Sequence, residues 1–155
     1  MYRRLKEEIE KGRLFADLRV LPGISSVSYL AACVGESYQD ARILSMHGKE
    51  VFQLARQIRT NPKTYLLMSG VQDVQKLGRT LLKEGLESCE VITGYQLSYE
   101  NQEICTLTPM ECSERKAEGL YTCLIRNPYA ERKRVTHGFP DEAFLREKVP
   151  MTKEE

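Results

Sequence analysis

The sequence predicts an α/β domain, a mixed sheet of about five strands flanked by helices. Three observations predict it. Short β-like runs alternate with helical runs through residue 93. One run, TYLLMS at 64–69, is almost unbroken in its apolar character, the mark of a strand covered on both faces. Two further strand-like runs, 103–107 and 121–126, follow without a full helix between them. That makes one edge of the sheet partly antiparallel.

The elements follow in order. Residues 2–11 read as a helix, with Tyr2, Leu5 and Ile9 on one face and Glu, Lys and Arg over the other; Gly12 suits its C-cap. A short strand is expected over 18–21, LRVL, ahead of Pro22-Gly23. A helix over 26–34 carries Tyr29, Leu30 and Cys33 and stops at Gly35, with a serine at the N-cap position. Residues 41–46 read as a strand. Residues 50–59 return to helix, with Val51, Leu54, Ala55 and Ile58 in one stripe, and Asn61-Pro62 breaks it. The apolar strand ends at Gly70. A helix over 71–84 turns Val74, Leu77, Leu81 and Leu82 inward and is capped by Gly85. Residues 89–93, 103–107 and 121–126 read as strands. After Asn127-Pro128 the pattern dissolves into a polar, proline-punctuated tail.

Composition narrows the function classes. The 23 Lys and Arg against 22 Asp and Glu leave a net charge of +1, with the signs interspersed. No basic stripe stands out, so nucleic acid is not an expected partner. Nor is a membrane, for lack of an apolar run of about 18 residues. The opening MYRRLKEEIEKG is charged and amphipathic, unlike a signal peptide. Five cysteines, at 33, 89, 105, 112 and 123, include no CxxC pair and sit mostly in apolar runs. There a thiol behaves as a small hydrophobe, which suits a reducing, cytoplasmic setting. His47 and His137 are far apart and lack neighbouring ligands, so no metal is expected. No P-loop and no GxGxxG occurs. Asp40, Ser45 and His47 lack the nucleophile elbow that a hydrolytic triad on such a sheet uses.

Ligands on α/β sheets sit beyond the carboxyl ends of strands. Three places meet that rule: residues 22–26, 45–48 and 68–70. The first lies in VLPGISSVSYLAACVG, residues 20–35. Its turn and helix start present backbone N–H groups to anionic or polar ligand groups. A serine that simply caps the helix accounts for the same pattern. The second carries Ser45 and His47 beside Gly48, and the third carries Met68, whose spacing suits a core position equally.

These stretches resemble the C-terminal half of the tetrapyrrole methylases, which methylate porphyrin- and corrin-type rings with S-adenosylmethionine. VLPGISSVSYLAA resembles that family's PGI-containing turn and helix. ARILSMHGK resembles the Ser-x-His-Gly-basic signature of the branch that methylates precorrin-6Y (cobalt-precorrin-7) at carbons 5 and 15 in cobalamin biosynthesis. YLLM at 65–68 resembles the strand whose methionine lies near the cofactor. GYQLSYENQEI at 94–104 resembles the loop leading to the late hairpin. HGFPDEAFLREKVPMTKEE at 137–155 resembles a linker towards a second, decarboxylating methylase domain, fused or separate.

The resemblance implies S-adenosylmethionine as cofactor, a precorrin or cobalt-precorrin as substrate, and methyl transfer as the reaction. It implies cofactor contacts from Ser25, Ser26, Met68 and, through its backbone, Leu97. It places Ser45, His47 and Gly48 on the substrate side, and offers Arg42, Lys49 and Arg126 to the substrate's carboxylates. It assigns no catalytic residue. It divides the chain into 1–14, a helix from an N-terminal domain or interdomain linker; 15–127, the C-terminal methylase domain; and 128–155, a tail. The family's glycine-proline-rich first loop and Gly-Asp loop belong to an N-terminal domain that this sequence does not contain. The expectation is therefore one half of a cleft, weak in cofactor binding and inactive alone, with an apolar face that favours a homodimer. The alternative reading is a non-catalytic α/β binding or assembly module that self-associates.

Overall fold

The structure, a computed structural model, describes residues 2–48 and 51–131. Within them the chain forms α1 (Tyr2–Glu10), α2 (Ser26–Val34), β1 (Arg42–Ser45), α3 (Leu54–Arg59), β2 (Lys63–Met68), α4 (Val71–Lys83), β3 (Glu90–Tyr95), β4 (Glu103–Leu107), α5 (Pro109–Glu114) and β5 (Tyr121–Arg126). The strands build one mixed five-stranded sheet in the order β1-β2-β5-β3-β4. β1 pairs parallel with β2. β5 lies antiparallel between β2 and β3, so β1, β2 and β3 all point one way. β4 returns antiparallel along the outer side of β3. The carboxyl ends of β1, β2 and β3 and the amino end of β5 therefore meet at one end of the sheet, where Tyr121 pairs with both Met68 and Tyr95.

Side chains alternate across each strand, and both faces are covered. Leu66, Met68, Val91, Cys123 and Ile125 face a core shared with Leu54 and Ile58 of α3, Val74, Leu77 and Leu81 of α4, and Cys112 of α5. Tyr65, Ile92 and Leu124 face the other way, against Val27, Leu30 and Ala31 of α2. This double cover is why β2 reads as a continuous apolar run. Gly35, at φ 68°, closes α2 in the left-handed region that glycine adopts without strain. Among the described residues no helix is long and apolar enough to cross a membrane.

The far end of the sheet is tied by charge. Arg126 of β5 pairs with Glu36 at 2.8 Å and Glu90 at 3.4 Å, and Lys63 of β2 pairs with Asp40 at 2.8 Å. Arg42 opens β1 at the same far end and donates to Gln57 at 3.2 Å.

Three expectations are corrected. The strand over 18–21 does not form: residues 14–25 belong to no helix or strand, and Val20 and Leu21 are 67% and 69% exposed. A run with β character still needs a neighbouring strand for its N–H and C=O groups, and among the described residues none pairs with it. The third helix begins at Leu54 instead of residue 50, because Gln53 sits in the left-handed region at φ 51°. Between β4 and β5, where no full helix is expected, α5 makes a turn and a half. Thr108 and Glu111 cap it reciprocally and Pro109 opens it. Lys49 and the tail from residue 132 lie outside the described residues.

Candidate functional site

The end of the sheet where the strands converge holds a cavity of about 200 Å³. Ser26, His47, Leu67, Met68, Gly94, Leu97, Tyr99, Leu120, Tyr121 and Thr122 line it. Each of the three places picked out by the strand-end rule thus sends one residue here, and Leu97 joins them. Ligand pockets for whole drug-sized molecules span about 300–1,000 Å³, so this cavity has room for part of such a ligand.

Ser25 and Ser26 part company at the start of α2. Ser25 is the N-cap: its Oγ accepts the Ser28 N–H at 3.1 Å and lies 2.9 Å from the Ser28 Oγ. Its oxygen is already engaged and it does not line the cavity. Ser26 begins the helix, is half-buried, and faces the cavity. No described acceptor takes the N–H of Ser26 or Val27, as expected of a first helical turn. These are the donors available to a ligand at this corner.

His47 reaches the cavity from the turn after β1. Ser45 makes that turn, its Oγ accepting the His47 N–H at 3.3 Å, and Gly48 continues it at φ 60°. Ser45 and Gly48 are exposed and do not line the cavity; they shape the corner that delivers His47. The His47 imidazole makes no hydrogen bond to any described residue. Met68, the last residue of β2, is 1% exposed and backs the cavity, its Sδ accepting the Cys123 thiol at 3.4 Å.

Arg42 and Arg126 stand at the opposite end of the sheet, so neither reaches this cavity. Among the described residues the lining contains no Lys, Arg, Asp or Glu. Tyr121 is held by its own network: its hydroxyl donates to the Ala117 carbonyl at 2.7 Å and accepts from Arg115 Nε at 3.4 Å. Arg115 also pairs with Glu103 at 2.8 Å. Burial pushes the Tyr121 phenol above its usual pKa, so it stays neutral. The cavity is therefore a largely apolar bed with a few hydroxyls, open amides and the His47 imidazole. Among the described residues no three His, Cys, Asp or Glu side chains gather to hold a metal ion.

Sequence reasoning did not reach Leu120, Tyr121 and Thr122. They arrive because β5 wedges between β2 and β3, a register that no local pattern carries. Gly94 and Tyr99 flank the one loop residue, Leu97, that was singled out.

The family model for tetrapyrrole (corrin/porphyrin) methylases matches residues 1–111. Solved structures share the fold. The uroporphyrin-III C-methyltransferase of Thermus thermophilus, complexed with S-adenosylhomocysteine, aligns at a TM-score of 0.55 and 16% identity, covering 81% of this chain and 58% of that one. The cobalt precorrin-4 methyltransferase CbiF aligns at 0.56 and 17%, over 81% and 59%. The precorrin-6Y methylase of Archaeoglobus fulgidus aligns at 0.43 and 17%, over 84% and 57%, too loosely to bear on substrate. The chain thus spans under two thirds of the length of these proteins, and such identities speak for the fold alone. No curated protein gives a significant match.

Proposed function

Given that the chain belongs to the tetrapyrrole (corrin/porphyrin) methylases, we propose that it forms one wall of an S-adenosylmethionine crevice in an enzyme that C-methylates a precorrin ring, precorrin-6Y being the substrate its Ser-x-His-Gly-Lys segment favours. The observation that carries this reading is the convergence of Ser26, His47, Met68 and Leu97 on one cavity from four separate segments. The lining fits the nucleoside and thioether portion of the cofactor: it is largely apolar, and it offers Ser26 and the first amides of α2 to polar groups. Ser25 caps the helix that presents them. His47 stands on the substrate side.

The cofactor, when bound, supplies an electrophilic methyl on a sulfonium. The residues of this wall orient it and exclude water, and orientation supplies much of the acceleration in such a transfer. A strong base is not required, in keeping with a lining that lacks a paired acid and base. Among the described residues that line the cavity no lysine or arginine meets the carboxylates of the ring. In this reading residues 15–127 are the C-terminal methylase domain, and a second α/β domain supplies the other wall.

S-Adenosylhomocysteine titrated calorimetrically into this chain, and into the chain joined to an N-terminal methylase domain, tests the proposal. Much tighter binding by the two-domain protein is expected; equal tight binding by both overturns the half-wall idea. Incubating the two-domain protein with precorrin-6Y and cofactor, with mass spectrometry to count methyl groups gained, tests the substrate.

A second reading, an assembly module that self-associates, is favoured by one observation. Phe15, Val20, Leu21 and Ile24 are 95%, 67%, 69% and 82% exposed in one irregular segment. Such a patch marks a surface that another chain or domain covers. Failure to bind the cofactor in either form, together with a stable dimer, decides for this reading.

A further inference from the structure

The β3–β4 connection is held in a backbone shape that its residues disfavour. Gln96 and Ser98, on either side of Leu97, have φ of 46° and 68°, where residues other than glycine are uncommon. Hydrogen bonds fix the shape. The Gln96 N–H donates to the Leu120 carbonyl and the Tyr99 N–H to the Gln96 carbonyl, both at 3.0 Å, while the Ser98 N–H donates to Gln102 Oε1 at 2.7 Å. Strain of this kind persists where the surroundings over-determine it, and it gathers at ligand sites. The loop folds Leu97 back over β3. Beneath it lies Gly94: a Cβ placed there would stand 2.8 and 3.0 Å from the two Leu97 methyls and 3.0 Å from Leu30 Cδ1. Those separations are too short for carbon atoms. The space that a side chain at 94 would fill is occupied by Leu97 and Leu30.

We propose that Gly94 is a positioning residue for the cofactor wall: by lacking a side chain it lets Leu97 pack down against Leu30, and so sets the depth of the cavity between Ser26, Met68 and Leu97. This rests on the reading of that cavity as part of the S-adenosylmethionine crevice. The three atoms nearest a methyl group at 94 are all ends of flexible leucine side chains. The fold can therefore accept it, with Leu97 lifted into a cavity of about 200 Å³.

The test uses the chain joined to an N-terminal methylase domain, unmodified and as Gly94→Ala, Leu97→Ala and the double variant, each titrated with S-adenosylhomocysteine by calorimetry. Gly94→Ala is expected to weaken binding by roughly tenfold and Leu97→Ala by roughly threefold, with the double variant within about twofold of Leu97→Ala, because coupled sites are not additive. A double variant weakened by the product of the two single effects overturns the proposal. So does a Gly94→Ala protein that melts lower but binds as tightly as the unmodified chain. A second readout needs no ligand: the nuclear Overhauser contact between the Leu97 and Leu30 methyls, in protein labelled at leucine methyls. It is expected in the unmodified chain and lost in Gly94→Ala with the remaining methyl spectrum intact; its survival in Gly94→Ala overturns the proposal. Should the unmodified chain bind no S-adenosylhomocysteine even when joined to the facing domain, the crevice reading fails, and the methyl contact still decides the packing role of Gly94.

Discussion

Ser25 and Ser26 share a side chain and differ only in where α2 begins. Ser25 answers the orphan N–H of the first turn, and Ser26 faces the cavity. Ser25→Ala is expected to cost about 1 kcal/mol, the usual loss of a serine cap, seen as a lower urea midpoint with an unchanged slope. Ser26→Ala is expected to change stability by less than about 0.5 kcal/mol and to weaken S-adenosylhomocysteine binding instead. Which serine does which was not legible in PGISSVS, because either can cap. The thiols show a second residue-scale effect. Burial pushes Cys112 up to about 12 and Cys89 to about 11. Both folded values stand above the unfolded one of about 8.5, so the unfolded chain releases these protons first as pH rises. Stability is whole below that unfolded value and falls as pH climbs towards the folded ones. Urea melts at increasing alkaline pH should show the decline, shallower in Cys112→Val. Exposed Cys33 should react with a thiol reagent near pH 8 well before buried Cys112 does.

Helices α4 and α5 lie against each other where Gly78 faces α5. A Cβ at 78 would stand 2.5 Å from both the Pro109 carbonyl oxygen and the Ser113 nitrogen. Alanine gains about 1 kcal/mol over glycine in helix propensity, but overpacking costs about 1–3 kcal/mol or more, and backbone atoms yield less than side chains. Gly78→Ala is therefore expected to lower the melting temperature on balance, a result opposite to what propensity alone predicts. Periodicity made α2 and α4 legible, because a buried stripe repeats within the helix itself. It missed α5, whose six residues are too few for a stripe, although Thr108-Pro109 with Glu111 spelled out its cap. It also misread LRVL, where β character is local and the pairing partner is not.

The domain as a whole has one end locked by ion pairs and the other open where three parallel strands finish. The strand-end rule made that open end legible in advance, since it depends only on the order of strands and helices. The wedge of β5 between β2 and β3, which supplies Leu120 to Thr122, was not legible. At this scale the exposed segment with Phe15 and Ile24 also matters. Sedimentation velocity across a range of concentrations should show self-association of the chain, relieved when Phe15→Ser and Ile24→Ser are combined, while the far-ultraviolet circular dichroism is kept.

The central place of β5 has a temporal side. β1 pairs with β2 and β4 with β3, but these two halves of the sheet meet only through β5, the last of the five strands in chain order, so they cannot join before that strand is made. A nascent chain stopped short of Tyr121 would hold two unzipped edges, at β2 and at β3, each open to pairing with the wrong strand. Assembly must then await contacts far apart in sequence, the circumstance in which folding is slow and a chaperone has most to protect.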